Sequence, residues 1–221
     1  MTDWVLVFDL DDTLYHFASG IFALVRKRIC QWLERALQIS PEEAVSLQYQ
    51  YFLTYGTTLA GLLHDHPEVD RESYLTYVHD VPVEAYISPD PVLDAMLGRL
   101  AARKVIFTNA TADWADRVTR ALGVRHHFDT IVDIYQANFI SKPFPYPYQV
   151  LLQTLQVPPD RCIMLDDQVR NLLTAAQMGM RTLLVSPQLA DRPPAIEHGV
   201  PDIYAAEPWL QALLQDGRVR S

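Results

Sequence analysis

Four short apolar runs constrain this chain most: Trp4–Leu10 (WVLVFDL), Lys104–Thr108 (KVIFT), Cys162–Leu165 (CIML) and Arg181–Val185 (RTLLV), with a weaker one at Thr130–Ile134 (TIVDI). They are near-continuous rather than alternating, the pattern of strands covered on both faces in a parallel sheet. Between them lie segments of helical spacing. Val92, Leu93, Met96, Leu97 and Leu100 mark a helix over Pro91–Arg103, and others are expected at Ala112–Leu122, Tyr148–Leu155 and Gln168–Met178. Strands alternating with helices predict an α/β fold with a doubly wound, Rossmann-like parallel sheet.

Residues 15–88 carry no strand pattern. Ile21, Phe22, Val25, Ile29, Trp32, Leu33 and Leu37 form a broad helical stripe. Ser40-Pro41-Glu42-Glu43 reads as an N-cap, a proline at the first helical position and acids in the first turn, with Gly56 stopping the helix after Tyr55. Further helical turns are expected at Thr58–His64 and Asp70–His79, and Ser88-Pro89-Asp90-Pro91 marks the exit. The organisation expected is therefore an α/β core of residues 1–14 and 89–221 with an inserted α-helical cap domain of residues 15–88. A short extended piece at Pro201–Tyr204 and a last helix over Glu207–Gln215 complete the tail.

Acidic residues outnumber basic ones 27 to 18, a formal charge of -9. That disfavours a nucleic-acid polymer or an anionic membrane surface as partner, and an anionic ligand then needs a local device to hold it. No apolar run approaches the ~18 residues of a membrane span. No signal peptide is expected, and Cys30 and Cys162 match no redox or metal spacing, so reduced thiols and a cytoplasmic location are the expectation. The oligomeric state, monomer or homodimer, stays open.

Ligands of open α/β sheets bind at the carboxyl ends of strands. Here those ends read Asp9-Leu10-Asp11-Asp12-Thr13, Thr108-Asn109 and Asp166-Asp167, with Ser141-Lys142-Pro143 between the last two. Carboxylates from neighbouring strand ends repel in a dry cleft, and Mg²⁺, which takes oxygen ligands, removes that repulsion. A calcium loop is a poor match to Asp9–Gly20, which has Leu14 and Gly20 where glycine and glutamate belong. His64, His66, His126 and His127 have no acid or cysteine at ligand spacing and are expected as surface residues.

The series Asp9-Leu10-Asp11-Asp12-Thr13-Leu14-Tyr15, Thr108-Asn109, Lys142-Pro143 and Asp166-Asp167 with Asn171 resembles the four motifs of the haloacid dehalogenase (HAD) superfamily. Phe107-Thr108-Asn109-Ala110, Leu165–Asn171 and the pairs Tyr55-Gly56 and Gly61-Leu62 resemble most closely its pyrimidine 5'-nucleotidases, although Gln168 stands where that family commonly has serine. The resemblance implies a Mg²⁺-dependent phosphatase with Asp9 as nucleophile and Asp11 as acid, then base. Asp11 favours phosphoryl transfer over dehalogenation, because released halide needs no proton. The resemblance further implies a metal held by Asp9, the Asp11 carbonyl, Asp167 and, directly or through water, Asp166. Phosphate would meet Asp9, Leu10, Asp11, Thr108, Asn109 and Lys142, with N–H groups at a helix N-terminus behind Thr108.

The cap would choose the leaving group, with His16, Phe17, Tyr49, Tyr55 and Thr57 as candidates; packing within the bundle is the competing role for the aromatics. A small phosphorylated metabolite, with a nucleoside 5'-monophosphate favoured, is the expected substrate. Sugar-phosphate or phosphoglycolate hydrolysis, a phosphomutase, and a binding protein that kept the fold are the alternatives.

Overall fold

The structure, a computed structural model, describes residues 4–190 and 192–219. Its centre is a six-stranded, all-parallel sheet in the order β3-β2-β1-β4-β5-β6. The strands are β1 Val5–Phe8, β2 Arg103–Phe107, β3 Thr130–Val132, β4 Cys162–Asp166, β5 Arg181–Val185 and β6 His198–Val200. Side chains of β1 alternate between two cores. Leu6 and Phe8 pack with Met96, Val118 and Leu210 on one face, while Val5 and Val7 pack with Tyr148, Leu151 and Leu172 on the other. Burial on both faces is why the strands read as unbroken apolar runs. The chain steps outward from β1 to β2 and β3, then crosses back from β3 to β4 on the other side of β1, so the order reverses beside β1, where an α/β sheet opens a crevice at its carboxyl edge.

Between β1 and β2 run α1 (Ile21–Leu37), α2 (Pro41–Tyr55), α3 (Thr58–Asp65), α4 (Arg71–His79) and α5 (Pro91–Arg99). The first four share their own apolar cluster, built on Leu33, Ala44, Tyr51, Leu62 and Val78. Ser40 closes a capping box at the start of α2, its hydroxyl accepting from the Glu43 N–H while Glu43 accepts from the Ser40 N–H. Gly61 lies flat against the Tyr51 ring, where a Cβ would come within 2.3 Å of ring carbon.

The remaining helices are α6 (Ala112–Leu122), α7 (Pro145–Leu155), α8 (Val169–Gln177) and α9 (Glu207–Val219). Helix α7 starts three residues earlier than its apolar spacing predicts, because Pro145 opens its first turn, where no amide hydrogen is needed. Helix α5 stops at Arg99, leaving Arg103 to open β2, rather than running to Arg103 as its spacing suggests. The extended piece expected at Pro201–Tyr204 lies instead at His198–Val200. This three-residue edge strand pairs with β5 and has no apolar run to announce it, and Tyr204–Ala206 forms a 3-10 turn. Among the described residues, no helix is long and apolar enough to cross a membrane.

Candidate active site

Lys142 is the hub of the carboxyl edge. Its ammonium, 1% exposed, donates to Asp9 Oδ1 at 2.7 Å, Asp166 Oδ2 at 3.0 Å and the Phe107 carbonyl at 2.8 Å, so three strand ends meet on one nitrogen. Burial opposes the positive charge, but Asp166 and Asp9 more than offset it and hold the ammonium above its usual range. Asn109 fixes the loop that carries this lysine. Its side-chain oxygen accepts from the Lys142 N–H at 2.8 Å, and its amide donates to the Lys142 carbonyl at 3.1 Å. In the structure Asn109 therefore positions Lys142.

Asp9 continues the β1 ladder, its N–H bonding the Leu165 carbonyl at 2.9 Å, and Thr13 donates to its Oδ2 at 3.0 Å. The chain then turns sharply through Asp12, which adopts a φ of 62°. Leu10 is fully buried in the core, leaving only its backbone for a ligand. Asp11 swings towards α6. Its Oδ1 accepts from Tyr15 Oη at 2.5 Å and Trp114 Nε1 at 3.0 Å. Burial raises the Asp11 carboxyl to about 7, against the lowering effect of those two donors. A carboxyl near neutrality can both give and take a proton.

Asp166 and Asp167 differ in environment. Both Asp166 oxygens are engaged, by the Asn171 amide at 2.9 and 3.0 Å, by the Gln168 N–H at 2.8 Å and by Lys142. Asp167 bonds the side chain of Gln168 at 2.5 Å and faces the cavity. Burial, followed by repulsion from Asp166 and Asp9, raises its carboxyl to about 8. Carboxylate oxygens of Asp9, Asp166 and Asp167 lie within 4.8 Å of one another. Once Asp167 gives up its proton, three carboxylates answered by one lysine leave an excess of negative charge on hard oxygen donors. These residues fit a small divalent cation such as Mg²⁺.

Thr108 is 2% exposed at the cavity floor, and its Oγ1 accepts from the Ala110 N–H at 3.0 Å. Helix α6 begins only at Ala112, with Thr111 as its N-cap, so the N–H groups just after Thr108 belong to a turn and not to the helix start expected there.

Above the strand ends is a cavity of about 340 Å³, roofed by α1–α4. Tyr49 and Thr57 line it. His16, Phe17 and Tyr55 are not among its lining residues. His16 caps the Phe17–Ser19 turn and stacks on Phe17, which is 55% exposed. The Tyr55 hydroxyl lies 3.1 Å from His64 Nδ1. Several lining residues carry no site signal in the sequence, among them Phe22, Arg26, Phe52, His79 and Trp114. Each sits on a helical stripe or among charged neighbours, where a core or solvent role is equally natural.

Side-chain contacts tie the helical insert to the core at several places. Arg170 donates to the Phe52 and Gly56 carbonyls at the end of α2, at 2.7 and 3.3 Å, and Ser141 donates to the Tyr55 carbonyl at 2.8 Å. Gly56 has φ +86°, and a Cβ there would lie 2.4 Å from the Lys142 carbonyl. At the other end, Arg117 donates to the His79 and Val81 carbonyls at 2.9 and 2.7 Å, and the His79 ring stacks on Trp114 at 5.0 Å.

The four histidines expected to lack acid partners all have them. His64 meets Asp65 at 2.7 Å and His66 meets Glu68 at 3.6 Å, while His126 and His127 both reach Asp94, at 3.2 and 2.8 Å. The last acid lies 33 residues before His127 and is brought there by the fold.

A parallel α/β core that gathers Asp9, Lys142, Asp166 and Asp167 under a helical insert defines the class. The chain belongs to the haloacid dehalogenase-like hydrolases, whose family model matches residues 5–179. It is 28% identical over 190 residues to phosphate metabolism protein 8 of Saccharomyces cerevisiae, covering 80% of this chain and 59% of that protein. It is 27% identical over 200 residues to phosphoglycolate phosphatase of Rhodospirillum rubrum, covering 82% of this chain and 78% of that one. Among solved structures, CbbY from Rhodobacter sphaeroides in complex with phosphate superimposes with a TM-score of 0.64 at 20% identity, over 93% of this chain and 96% of that one. L-2-haloacid dehalogenase from Xanthobacter autotrophicus does so with 0.58 at 16% identity, over the whole of both chains. These structural likenesses speak for the fold alone.

Proposed function

We propose that the protein is a Mg²⁺-dependent phosphomonoester hydrolase working through an aspartyl phosphate on Asp9. The observation that carries this reading is the buried Lys142 ammonium bridging Asp9 and Asp166, with a second carboxyl, Asp11, two residues from the nucleophile and separately held. Residues 15–88 act as the cap over a core of residues 1–14 and 89–221.

A carboxylate oxygen of Asp9 attacks phosphorus, the ester P–O bond breaks, and the leaving oxygen takes the Asp11 proton. Asp11, now a carboxylate, removes a proton from water, which attacks the phosphoryl group and releases inorganic phosphate and free Asp9. Lys142 holds Asp9 in place and offsets charge as the group transfers. Asp9, the Asp11 carbonyl and Asp167 would hold Mg²⁺, with Asp166, whose oxygens are already engaged, a more distant ligand. When bound, the ion supplies positive charge to the phosphoryl oxygens. Thr108 and the backbone at Leu10 and Asn109 border the remaining oxygens. The free thiols Cys30 and Cys162 suit a cytoplasmic setting.

The favoured leaving group is a nucleoside, making the protein a 5'-nucleotidase. Its support is the roof: Phe22, Val25, Phe52, Leu59 and Val78 offer apolar surface to a flat base. A second reading, phosphoglycolate, is supported by Arg26, an exposed cation on the cavity wall able to meet a carboxylate, and by the Rhodospirillum relative.

The test is a Mg²⁺ assay on UMP, CMP, dTMP, purine monophosphates, sugar phosphates and phosphoglycolate with the Asp9→Asn and Arg26→Gln variants. Asp9→Asn should lose at least about a thousandfold in kcat on every ester, and full retained activity overturns the nucleophile. Arg26→Gln should spare nucleotides; selective loss on phosphoglycolate would favour the second reading.

A further inference from the structure

We propose that Asp94, His126 and His127 form a binding site for a borderline transition-metal ion, Zn²⁺ by preference, separate from the carboxylate centre. The Nε2 atoms of both imidazoles converge on one oxygen, Asp94 Oδ1, at 3.2 Å from His126 and 2.8 Å from His127. All three ligand atoms lie within 4.8 Å of one another. Bonds of about 2.0–2.1 Å to a tetrahedral zinc put its ligand atoms ~3.3 Å apart, so the triad is already near the spacing that the ion requires. The rings are side by side, with centroids 4.1 Å apart and planes tilted by 39°.

The ligand chemistry separates this site from the first. Two imidazoles and one carboxylate suit zinc, nickel or copper and are poor company for Mg²⁺, which takes oxygen and keeps its waters. Asp94 stands in the first turn of α5, whereas His126 and His127 sit in the 3-10 turn that feeds the amino end of β3. The catalytic groups gather at the opposite, carboxyl ends of the strands. The His127 side chain is 14% exposed and serves as the anchored ligand; His126 is 64% exposed and leaves an open side where water completes the coordination. Bound metal would tie the edge strand's entry turn to α5. The role is structural or regulatory, and no step of ester hydrolysis passes through it.

Zinc titration of the full chain against a chromogenic chelator, in millimolar Mg²⁺ to fill the carboxylate centre, tests this. We expect one Zn²⁺ per chain and a rise in Tm on binding. His126→Ala and Asp94→Asn, both at partly exposed side chains, should each weaken zinc binding by more than the ~10–100-fold typical of losing an outer-shell partner. Both variants should hydrolyse esters as the parent does. An anomalous diffraction peak between the two Nε2 atoms would place the ion. Zinc bound with undiminished affinity by both variants, or no stoichiometric zinc in the parent, overturns the proposal. Because the readout is zinc affinity, its outcome is independent of whether Asp9 carries a phosphoryl group.

Discussion

Trp114 Nε1 donates to Asp11 Oδ1 at 3.0 Å, across 103 residues of sequence, and Tyr15 Oη donates to the same oxygen at 2.5 Å. The carboxyl proposed to carry the proton is thus aimed by two side chains, one of which is stacked under His79 at the end of α4. Trp114→Phe removes the donor and keeps an aromatic ring. A hydrogen bond to a charged group contributes about 1.5–3 kcal/mol, so kcat should fall by roughly 10–100-fold. The loss should be largest for alkyl esters, whose leaving oxygen needs the proton, and small for p-nitrophenyl phosphate. Equal losses on both would mean that Trp114 only packs.

Asp167 is crowded by Asp9 and Asp166 and held protonated up to about 8 by burial and their charge. Its replacement by Asn should act in two opposite directions. The Mg²⁺ concentration for half-maximal activity should rise at least about tenfold, as a charged oxygen ligand is lost. In EDTA near pH 7, however, the variant should melt above the parent, because the buried Asp167 carboxyl must take up a proton on folding and an amide does not. Thermal melts with and without Mg²⁺ check both; a variant less stable than the parent in EDTA would count against that proton uptake.

Lys142 is the counterpart. Removing one partner of a buried ion pair leaves uncompensated charge, at a cost of about 3–5 kcal/mol. Lys142→Met would strand both Asp9 and Asp166, so the unfolding free energy from urea melts should drop by that amount and turnover should vanish. A stable, folded Lys142→Met protein would show that Asn171 and the Asp166 loop suffice to hold the strand ends.

The sheet was legible in the sequence because burial on both faces leaves a mark that needs no partner to be seen: Trp4–Leu10 and Arg181–Val185 are apolar whatever lies beside them. Capping is equally local, so Ser40 and Gly56 bound α2 as read. The meeting of Asp9, Asp166 and Asp167 followed from strand order, since the carboxyl ends of the neighbours β1 and β4 share an edge; Lys142 reaches them from a loop well beyond β3. The cavity wall was not legible. Phe17 and Phe22 are alike in isolation, yet one is 55% exposed against His16 and the other lines the cavity. Tyr55, matched to a family pattern, instead reaches His64. Contacts such as Trp114 to Asp11 and His127 to Asp94 depend on tertiary approach and leave no spacing to count. Strand β6, three residues with a central glycine, carries too little apolar surface to declare itself.

His79 gives the fold a dependence on acid that a single variant isolates. Burial, aided by the nearby Arg117 guanidinium, lowers its imidazole from 6.5 to about 4. The folded chain therefore keeps this ring neutral where the unfolded chain takes up a proton. Stability from the neutral ring is complete above pH 6.5, declines as the pH falls below that value, and is lost by about pH 4, a total of up to ~3 kcal/mol. His79→Phe keeps a ring against Trp114 and cannot titrate, while Arg117 retains its bonds to the backbone carbonyls of residues 79 and 81. Urea unfolding of both proteins from pH 7.5 to 4 should show the difference between parent and variant shifting in the variant's favour as the pH falls. A difference that stays constant across that range would mean that His79 is protonated in the folded state as readily as out of it. The stack on Trp114 would then be cationic.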